Sequence, residues 1–358
     1  MPLPNATTSH ALLLATVNDL STPYFLAPAI AGAARCVRER LVIILFSRLF
    51  NTGRRPRSPL AGRPEKHSRR DSFGSAHSDS SAGISHTKTW NDIQRLLTYV
   101  YVQATAVAQE LDKVLLQVDV LLRGFDEDLS EDFGKDFEVV IRIEGDCIPV
   151  PLPQSVTSLR MAWSKPGDHV RDDEAVPGSP TAPGLDPPTY PVVALGGTFD
   201  HLHAGHKILL SMAAWIADEK VIVGVTDDEL LTKKDYKEVV ESLPERIRGV
   251  RNFMELFKPT LVYDIVPIND VYGPAGTDPN IQALVVSKET TSGGKAVDQR
   301  REENGLPPLK AFAIDVISHR SRRLVADDVE ALKQAKMSST YIRQWIVSRT
   351  QQKPESGT

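Results

Sequence analysis

The stretch VVALGGTFDHLHAGH, residues 192–206, decides the fold and narrows the chemistry. It begins as a short apolar run, breaks at two glycines and carries three histidines in its last six positions. Short apolar runs that end at glycine are typical of buried strands. The histidine spacing, H-x-H-x-x-H, leaves two alternatives: a metal centre, or a site that handles phosphate.

The sequence that follows this stretch alternates between helical and strand patterns. Apolar residues recur at helical spacing in KILLSMAAWIAD (207–218) and PERIRGVRNFMELF (244–257). The runs KVIVGVT, TLVYDIVPI, ALVVS and LKAFAIDVI are typical of strands. This alternation predicts that residues 191–350 form an α/β, Rossmann-like domain with a five-stranded parallel sheet.

The chain ahead of that domain divides by composition. A helical pattern starts at Trp90, and FEVVIRI (137–143) alternates like a strand, so residues 1–164 are predicted to form a smaller α+β N-terminal region. Residues 51–90 are rich in Arg, Ser, Gly and Pro, which predicts a disordered insertion. Residues 165–190 have the composition of a Pro-rich linker, and residues 351–358 that of a tail.

Composition argues against several classes of function. A formal charge of −4 gives no overall attraction to nucleic acid. The apolar run 41–50 is far shorter than the roughly 20 residues of a membrane span. Residues 1–34 lack the basic start of a secretory signal, and the two cysteines form no C-x-x-C pair. We expect a soluble cytoplasmic protein, with a weak nuclear-import signal in the Arg cluster of 51–90, that binds neither nucleic acid nor membrane.

A metal centre at the histidines would need more ligands than the chain offers. The spacing resembles that of metallo-β-lactamases, but Gly205 stands where those proteins have Asp, and only His319 follows His206. A zinc site needs three or more protein ligands with supporting partners. We therefore predict no protein-bound metal, and we expect His201 to cap the next helix or bond its neighbours.

A phosphate site also accounts for the glycines. Gly196 and Gly197, just after a strand, would let the backbone approach a ligand and leave N–H groups free for it. Gly205 has no side chain, which would leave space for a nucleobase or ribose to pack against the backbone. His206 opens a helix whose N-terminal end favours an anion. No G-x-G-x-x-G fingerprint and no P-loop occurs in the chain, so a nucleotide must be held in another way.

Two motifs together resemble the nucleotidylyltransferase superfamily. GGTFDHLHAGH (196–206) contains its [T/H]-x-G-H core, and KMSSTYIR (336–343) is similar to its I-S-S-T-x-[IV]-R element. The stretches 223–253 and 285–306 resemble the eukaryotic type of phosphopantetheine adenylyltransferase, and the N-terminal region resembles fungal members more loosely. The resemblance covers about residues 190–347.

The resemblance implies a reaction and a set of site residues. ATP and 4′-phosphopantetheine would give dephospho-coenzyme A and pyrophosphate by direct in-line attack, with Mg²⁺ bridging ATP oxygens. Thr198, Lys233 and His206 would be catalytic, and Ser339 or Thr340 would cap the helix that follows. The ATP-binding residues would be Gly196, Gly197, Thr198, Phe199, His203, Gly205, His206, Ser338, Ser339, Thr340 and Arg343. The substrate-binding residues would be Thr198, Lys233, Lys288, Glu289 and Thr290.

Three alternatives stay open. A cytidylyltransferase shares the first motif, although its R-Y-V-D-E element is not seen; a nicotinamide mononucleotide adenylyltransferase usually shows G-S-F-N-P. A scaffold that binds ATP without turnover would keep the same fold.

The bacterial R-G-x-R-x-x-x-D-[FY]-E element is replaced by SKETTSGG, which leaves the substrate anchor within 285–300 open. Other enzymes of coenzyme A synthesis are the protein partners that the resemblance suggests.

Overall fold

The computed structural model describes residues 7–52, 84–168, 186–314 and 338–351. Within these ranges the chain forms two five-stranded sheets, and every strand pair in both is parallel. Most of the predicted insertion, linker and tail lies outside the described residues.

The N-terminal domain is α/β, and the prediction of an α+β region was wrong. Its strand order is β3-β2-β1-β4-β5. Strands β1 and β2 are buried along most of their length, so they read as continuous apolar runs without the alternation that marks a half-buried strand. The elements are β1 (Thr8–Thr16), α1 (Ala27–Cys36), β2 (Val37–Phe46), α2 (Trp90–Glu110), β3 (Gln117–Arg123), β4 (Val139–Ile143), α3 (Gln154–Thr157) and β5 (Arg160–Ser164).

The C-terminal domain has the predicted five-stranded parallel sheet, in the order β10-β9-β6-β7-β8. The five predicted strands all form, and the first predicted helix begins three residues earlier than expected. The elements are β6 (Tyr190–Gly197), α4 (Ala204–Ile216), β7 (Ala217–Thr226), α5 (Leu243–Phe257), β8 (Val262–Ile268), β9 (Ala283–Ser287), α6 (Thr291–Glu303), β10 (Lys310–Ile314) and α7 (Ser339–Gln351).

The two domains share one apolar core. Helix α2 packs against α4, α5 packs against β3, and a single cluster of buried apolar side chains runs through both domains. Polar contacts cross the same interface: Lys207 Nζ lies 2.7 Å from Asp119 Oδ1, and Arg123 donates to the carbonyl oxygens of Leu256 and Phe257 at 2.6 Å. The N-terminal domain therefore directly supports α4, the helix that carries the histidines.

None of the helices within the described ranges is both long and apolar enough to cross a membrane.

Candidate active site

The loop of residues 198–203 joins β6 to α4 at the carboxyl edge of the second sheet. Phe199 (φ 53°) and His201 (φ 45°) both have left-handed backbone conformations, which cost about 1–2 kcal/mol for a residue with a side chain. Strain of this kind persists where neighbouring groups fix the backbone and is frequent at functional sites. Two buried charged residues, Arg246 and Asp200, fix this loop.

Arg246 ties the ends of two strands together. Its fully buried guanidinium donates to the carbonyl oxygens of Thr198 and Thr226, both at 2.8 Å, and pairs with Asp228. Thr198 follows β6 and Thr226 ends β7, so this side chain sets the separation of the two loops. Arg246 was not among the predicted site residues, although its place one helical turn before the buried Val250 is a signal.

Asp200 joins the two predicted motifs. Its carboxylate, which is fully buried, accepts from Arg343 Nη1 at 2.6 Å and from the backbone N–H of Glu241 at 2.9 Å. Its carbonyl oxygen accepts from the Ser339 hydroxyl at 2.8 Å. Residues 196–206 and 338–343 therefore meet in the structure. Asp200, which makes this contact, lies inside the first motif but was not among the predicted site residues.

The second motif forms the start of α7. Ser338 caps this helix by accepting from the backbone N–H of Tyr341 at 3.2 Å, so the expectation that Ser339 or Thr340 is the cap was wrong. Arg343 is buried and donates to Asp200, to the carbonyl oxygen of Asp235 and to the Thr340 hydroxyl. These contacts use three of its five N–H groups and hold α7 in place.

His203 and His206 lie together at the start of α4. His203 is the N-cap, because its Nδ1 accepts from the Gly205 backbone N–H at 3.1 Å. The two imidazole rings stack with centroids 3.9 Å apart, and within the described residues the buried Nδ1 of His206 has no partner. His201 instead donates to the Val239 carbonyl oxygen and does not cap the helix.

Burial keeps both of these imidazoles neutral. It lowers the pKa of His203 to about 4, with the charge of Lys207 adding to the effect. Burial also places the pKa of His206 well below its usual value, and the neighbouring His203 and Lys234 lower it further. At neutral pH each ring can therefore donate only one N–H.

Gly196 and Gly197 end β6, whereas the sequence placed them just after the strand. Both lie inside β6 and pair with β7. A Cβ on Gly197 would lie 3.2 Å from the Phe199 ring, whereas one on Gly196 would meet only ordinary contacts of 3.6–3.7 Å. Gly197 thus makes room for the buried ring of Phe199, which in turn lies 5.4 Å from the His206 ring.

The predicted substrate residues lie on two further loops of the second sheet. Lys233 is exposed in the connection after β7. Its neighbour Lys234, which the sequence analysis passed over, is the lysine whose charge acts on His206. Residues 288–290 form a short 3₁₀ turn after β9, in which the Thr290 hydroxyl accepts from the Ser287 backbone N–H at 3.1 Å.

One group of side chains has the spacing of a metal site. Oxygen and nitrogen atoms of Asp200, His201 and Glu241 lie within 4.8 Å of one another. However, Asp200 already binds Arg343 and a backbone N–H, and His201 Nε2 binds the Val239 carbonyl oxygen. These hydrogen bonds account for the group without a metal.

A cleft of about 470 Å³ lies between the domains, beside the histidine loop. Of the predicted site residues it is lined by Phe199 and His203. From the N-terminal domain, Arg40, Gln117 and Asp119 contribute to its wall. The histidine loop therefore has the second sheet on one side and the N-terminal domain on the other.

Comparison with known proteins places the site in a family. The sequence model of the cytidylyltransferase-like family matches residues 194–345. The phosphopantetheine adenylyltransferase of Pyrobaculum aerophilum is 36% identical over 165 residues, which are 46% of this chain and 94% of that protein. The chain belongs to the phosphopantetheine adenylyltransferase family.

Two fungal relatives are more similar but longer. The phosphopantetheine adenylyltransferase of Saccharomyces cerevisiae is 44% identical over 156 residues, 42% of this chain and 51% of that protein. An uncharacterized protein of Schizosaccharomyces pombe is 44% identical over 153 residues, 43% of this chain and 47% of that protein. The chain thus matches about half the length of these two fungal relatives.

Proposed function

We propose that this chain transfers the adenylyl group of ATP to 4′-phosphopantetheine, giving dephospho-coenzyme A and pyrophosphate. The observation that carries the proposal is the hydrogen bond from Ser339 to Asp200, which brings the two signature motifs of the family together. The carboxyl edge of a doubly wound sheet, where this contact lies, is the place at which such folds bind nucleotides.

The reaction needs positioning and charge stabilisation. An oxygen of the 4′-phosphate would attack the α-phosphorus of ATP, and the bond from that phosphorus to the β-phosphate oxygen would break as pyrophosphate leaves. Negative charge on the α-phosphate oxygens would then be met by the neutral imidazole of His206, which donates one N–H, and by the N-terminal end of α4. No covalent enzyme intermediate is required.

The triphosphate would lie between the two motifs. Ser338, Ser339 and Thr340 begin α7, whose first backbone N–H groups suit the β- and γ-phosphates. Mg²⁺ would enter as part of Mg-ATP, since this ion usually keeps several waters and binds through substrate phosphates. Arg343 would mainly position α7, because Asp200, Asp235 and Thr340 bind three of its five N–H groups.

The attacking phosphate would be held by the lysines that follow β7 and by the hydroxyl of Thr198. Lys233 remains our first candidate for this contact, and Lys234 joins it because its charge acts on His206. Residues 288–290 follow β9, the strand beside β6, and would contact the pantetheine arm. We also propose the cytoplasm as the location, since the cysteine usage suits a reducing compartment.

The first test measures pyrophosphate release from Mg-ATP with 4′-phosphopantetheine or nicotinamide mononucleotide as the acceptor, and from Mg-CTP with phosphocholine or glycerol 3-phosphate. We expect release only with 4′-phosphopantetheine, and loss of that release in His206→Ala. His201→Asn is the matched control, because Asn tolerates the left-handed backbone of that position and should keep most of the activity. Release with another acceptor would overturn the substrate assignment, and ATP binding without any release would indicate a scaffold.

A further inference from the structure

The N-terminal domain has no counterpart in the archaeal relative. A match of 165 residues covers 94% of the Pyrobaculum aerophilum protein, and the matched family region here begins near residue 194. The transferase domain is thus nearly the whole of that relative, whereas here a second five-stranded domain packs against it. This raises the question of what the additional domain does for the ATP site.

One stretch of the N-terminal domain contacts both helices that carry the signature motifs. We call residues 111–119 the α2–β3 segment, since they run from the end of α2 into β3. Near its end, Asp119 binds Lys207 Nζ at 2.7 Å, and its other oxygen accepts from Arg40 at 3.1 Å. Lys207 directly follows His206 in the first turns of α4. This contact therefore fixes the helix that presents the imidazoles.

The start of the same segment contacts α7. Asp112 Oδ1 accepts from Trp345 Nε1 at 2.7 Å, and the carboxylate also pairs with Arg349. The Arg349 guanidinium in turn lies over the Trp345 ring, 5.3 Å from its centroid. Asp112 has a left-handed backbone (φ 57°), so its side chain is presented from a fixed turn at the end of α2.

Helix α7 depends on such polar contacts because it buries little. Of its residues, Ile342 and Arg343 are buried, and the other side chains are at least partly exposed. Its first turns are held by Asp200 through Ser339 and Arg343. Its later turns are held by Asp112 through Trp345 and Arg349. Two attachment points at different heights fix the direction of a helix, whereas one leaves it free to tilt.

We propose that the α2–β3 segment sets the geometry of the ATP site by holding α4 and α7 at a fixed separation, with Asp112 as a positioning residue. This inference rests on the proposed function, since it assumes that the start of α7 contacts the phosphates of ATP. Asp112 itself touches no reacting group. Its effect reaches the site through α7, so loss of its carboxylate should weaken ATP binding more than binding of the acceptor.

The test uses two substitutions that suit the left-handed backbone. Asp112→Gly removes the carboxylate without strain, and Asp112→Asn keeps an oxygen that can accept from Trp345. Kinetics are measured with Mg-ATP and 4′-phosphopantetheine varied in turn. We expect Asp112→Gly to raise the KM for ATP about fivefold, as for loss of one good hydrogen bond. The KM for 4′-phosphopantetheine should stay within about twofold, and Asp112→Asn should restore most of the ATP effect.

Two further measurements separate positioning from general stabilisation. Trp345→Phe removes one of the two Asp112 contacts and should reproduce most of the Asp112→Gly effect. The double variant should be no worse than Asp112→Gly alone, because that variant has already lost the Trp345 contact. Hydrogen exchange of the α7 amides should be faster in Asp112→Gly than in the unsubstituted protein. A lower melting temperature with both KM values and α7 exchange unchanged would overturn the proposal.

Failure of the proposed function would give a different result. If the unsubstituted protein failed to release pyrophosphate with any of the acceptors, the reaction assignment would be wrong. ATP affinity would then be measured by calorimetry. About fivefold weaker ATP binding by Asp112→Gly would still support the positioning role. Equal ATP affinity of the two proteins would overturn it.

Discussion

The two sheets of this chain have the same architecture, yet the site lies on one of them. Counted from its own first strand, each sheet has the order 3-2-1-4-5 with all strands parallel. In the second sheet the first crossover begins with TFDHLH (198–203) and leads into a helix capped by His203. In the first sheet it is VNDLSTPYFL (17–26), which contains no His, Lys or Arg, and α1 has no side-chain cap.

The difference between the two first crossovers shows that the fold alone does not provide the proposed site, which depends on a few side chains. Both sheets even end their second strand in the same way: Ser47 accepts from the backbone N–H of Leu49, and Asp227 from that of Glu229. The proposed activity therefore depends on a few side chains in the first crossover of the second sheet and on the α7 motif that contacts it. The first sheet has the same architecture and supplies the α2–β3 segment that supports the second.

The largest expected effect tests whether the two domains are one folding unit. Asp119 is buried; burial by itself would raise its pKa, but the charges of Lys207 and Arg40 outweigh this and lower the pKa, so the group stays ionised. Asp119→Leu would leave Lys207 buried without its partner and should lower the free energy of unfolding by about 3–5 kcal/mol. Denaturant titration measures the loss, and the curve should stay a single transition in both proteins.

The double variant Asp119→Leu with Lys207→Met supplies the control for that prediction. Replacing both charges by apolar side chains of similar size should recover most of the lost stability, because the buried ammonium of Lys207 is no longer left unpaired. Arg40 also loses Asp119, but its side chain is partly exposed. A single variant as stable as the unsubstituted protein would mean that water reaches Lys207 and that the contact does not join the domains.

The second prediction compares the two first crossovers directly. His206→Ala removes a donor to the proposed α-phosphate site and should lower kcat about 10²–10³-fold, equivalent to roughly 2.7–4 kcal/mol of barrier. Asn18→Ala changes an exposed residue in the first crossover of the first sheet and should leave kcat unchanged. Similar losses in both variants would mean that the first crossover also takes part in the reaction.

The third prediction separates the two adjacent glycines of β6. Gly197→Ala would place a Cβ 3.2 Å from the Phe199 ring and should lower the free energy of unfolding by about 1–3 kcal/mol, in the range of core overpacking. Gly196→Ala meets atoms no closer than 3.6 Å, so it is the matched control and should cost less. If Gly196→Ala lost more stability or more activity, a direct ligand contact at Gly196 would explain it better than packing does.

The sequence predicted the second domain well because its signals are local. Short apolar runs alternating with amphipathic helices gave the five parallel strands, and both signature motifs were recognised before the contact between them was known. The first domain was misjudged because buried strands such as β2 have no alternation, and an apolar run of that length is compatible with either a helix or a strand.

The site residues that the sequence missed act through long-range contacts. Asp200 pairs with Arg343 across 143 positions of the chain, and Arg246 binds the carbonyl oxygens that end two different strands. A buried charge of this kind has a role only when its partners are known, and neither spacing nor composition gives them. The same holds for Asp112, whose partners Trp345 and Arg349 lie in the other domain.

The smallest expected effect uses pH to compare a histidine at the domain interface with those in the site. His86 stacks on Trp215 with ring centroids 4.1 Å apart, and burial lowers its pKa to about 4, the same value as for His203. The unfolded chain takes up a proton near pH 6.5 while these folded rings stay neutral, so stability is complete above that pH and falls as the pH drops from 6.5 toward 4. Each ring should contribute about 1 kcal/mol of this loss per pH unit.

His86→Phe keeps the stacked ring and removes the interface share of this dependence. Denaturant titrations at pH 7, 6 and 5 should show a shallower loss for the variant than for the unsubstituted protein. Added Mg-ATP should reduce the pH-dependent loss of stability that remains in the variant and leave the contribution of His86 unchanged. A bound phosphate favours the protonated forms of His203 and His206 but lies far from His86 in the proposed site. Parallel curves for the two proteins would mean that His86 is solvated in the folded state and that the interface at Trp215 opens more readily than the site. If Mg-ATP reduced the contribution of His86 as much as that of the site histidines, one conformational change would have to link the interface and the site. Helix α4 would transmit it, because it carries both Trp215 and His206.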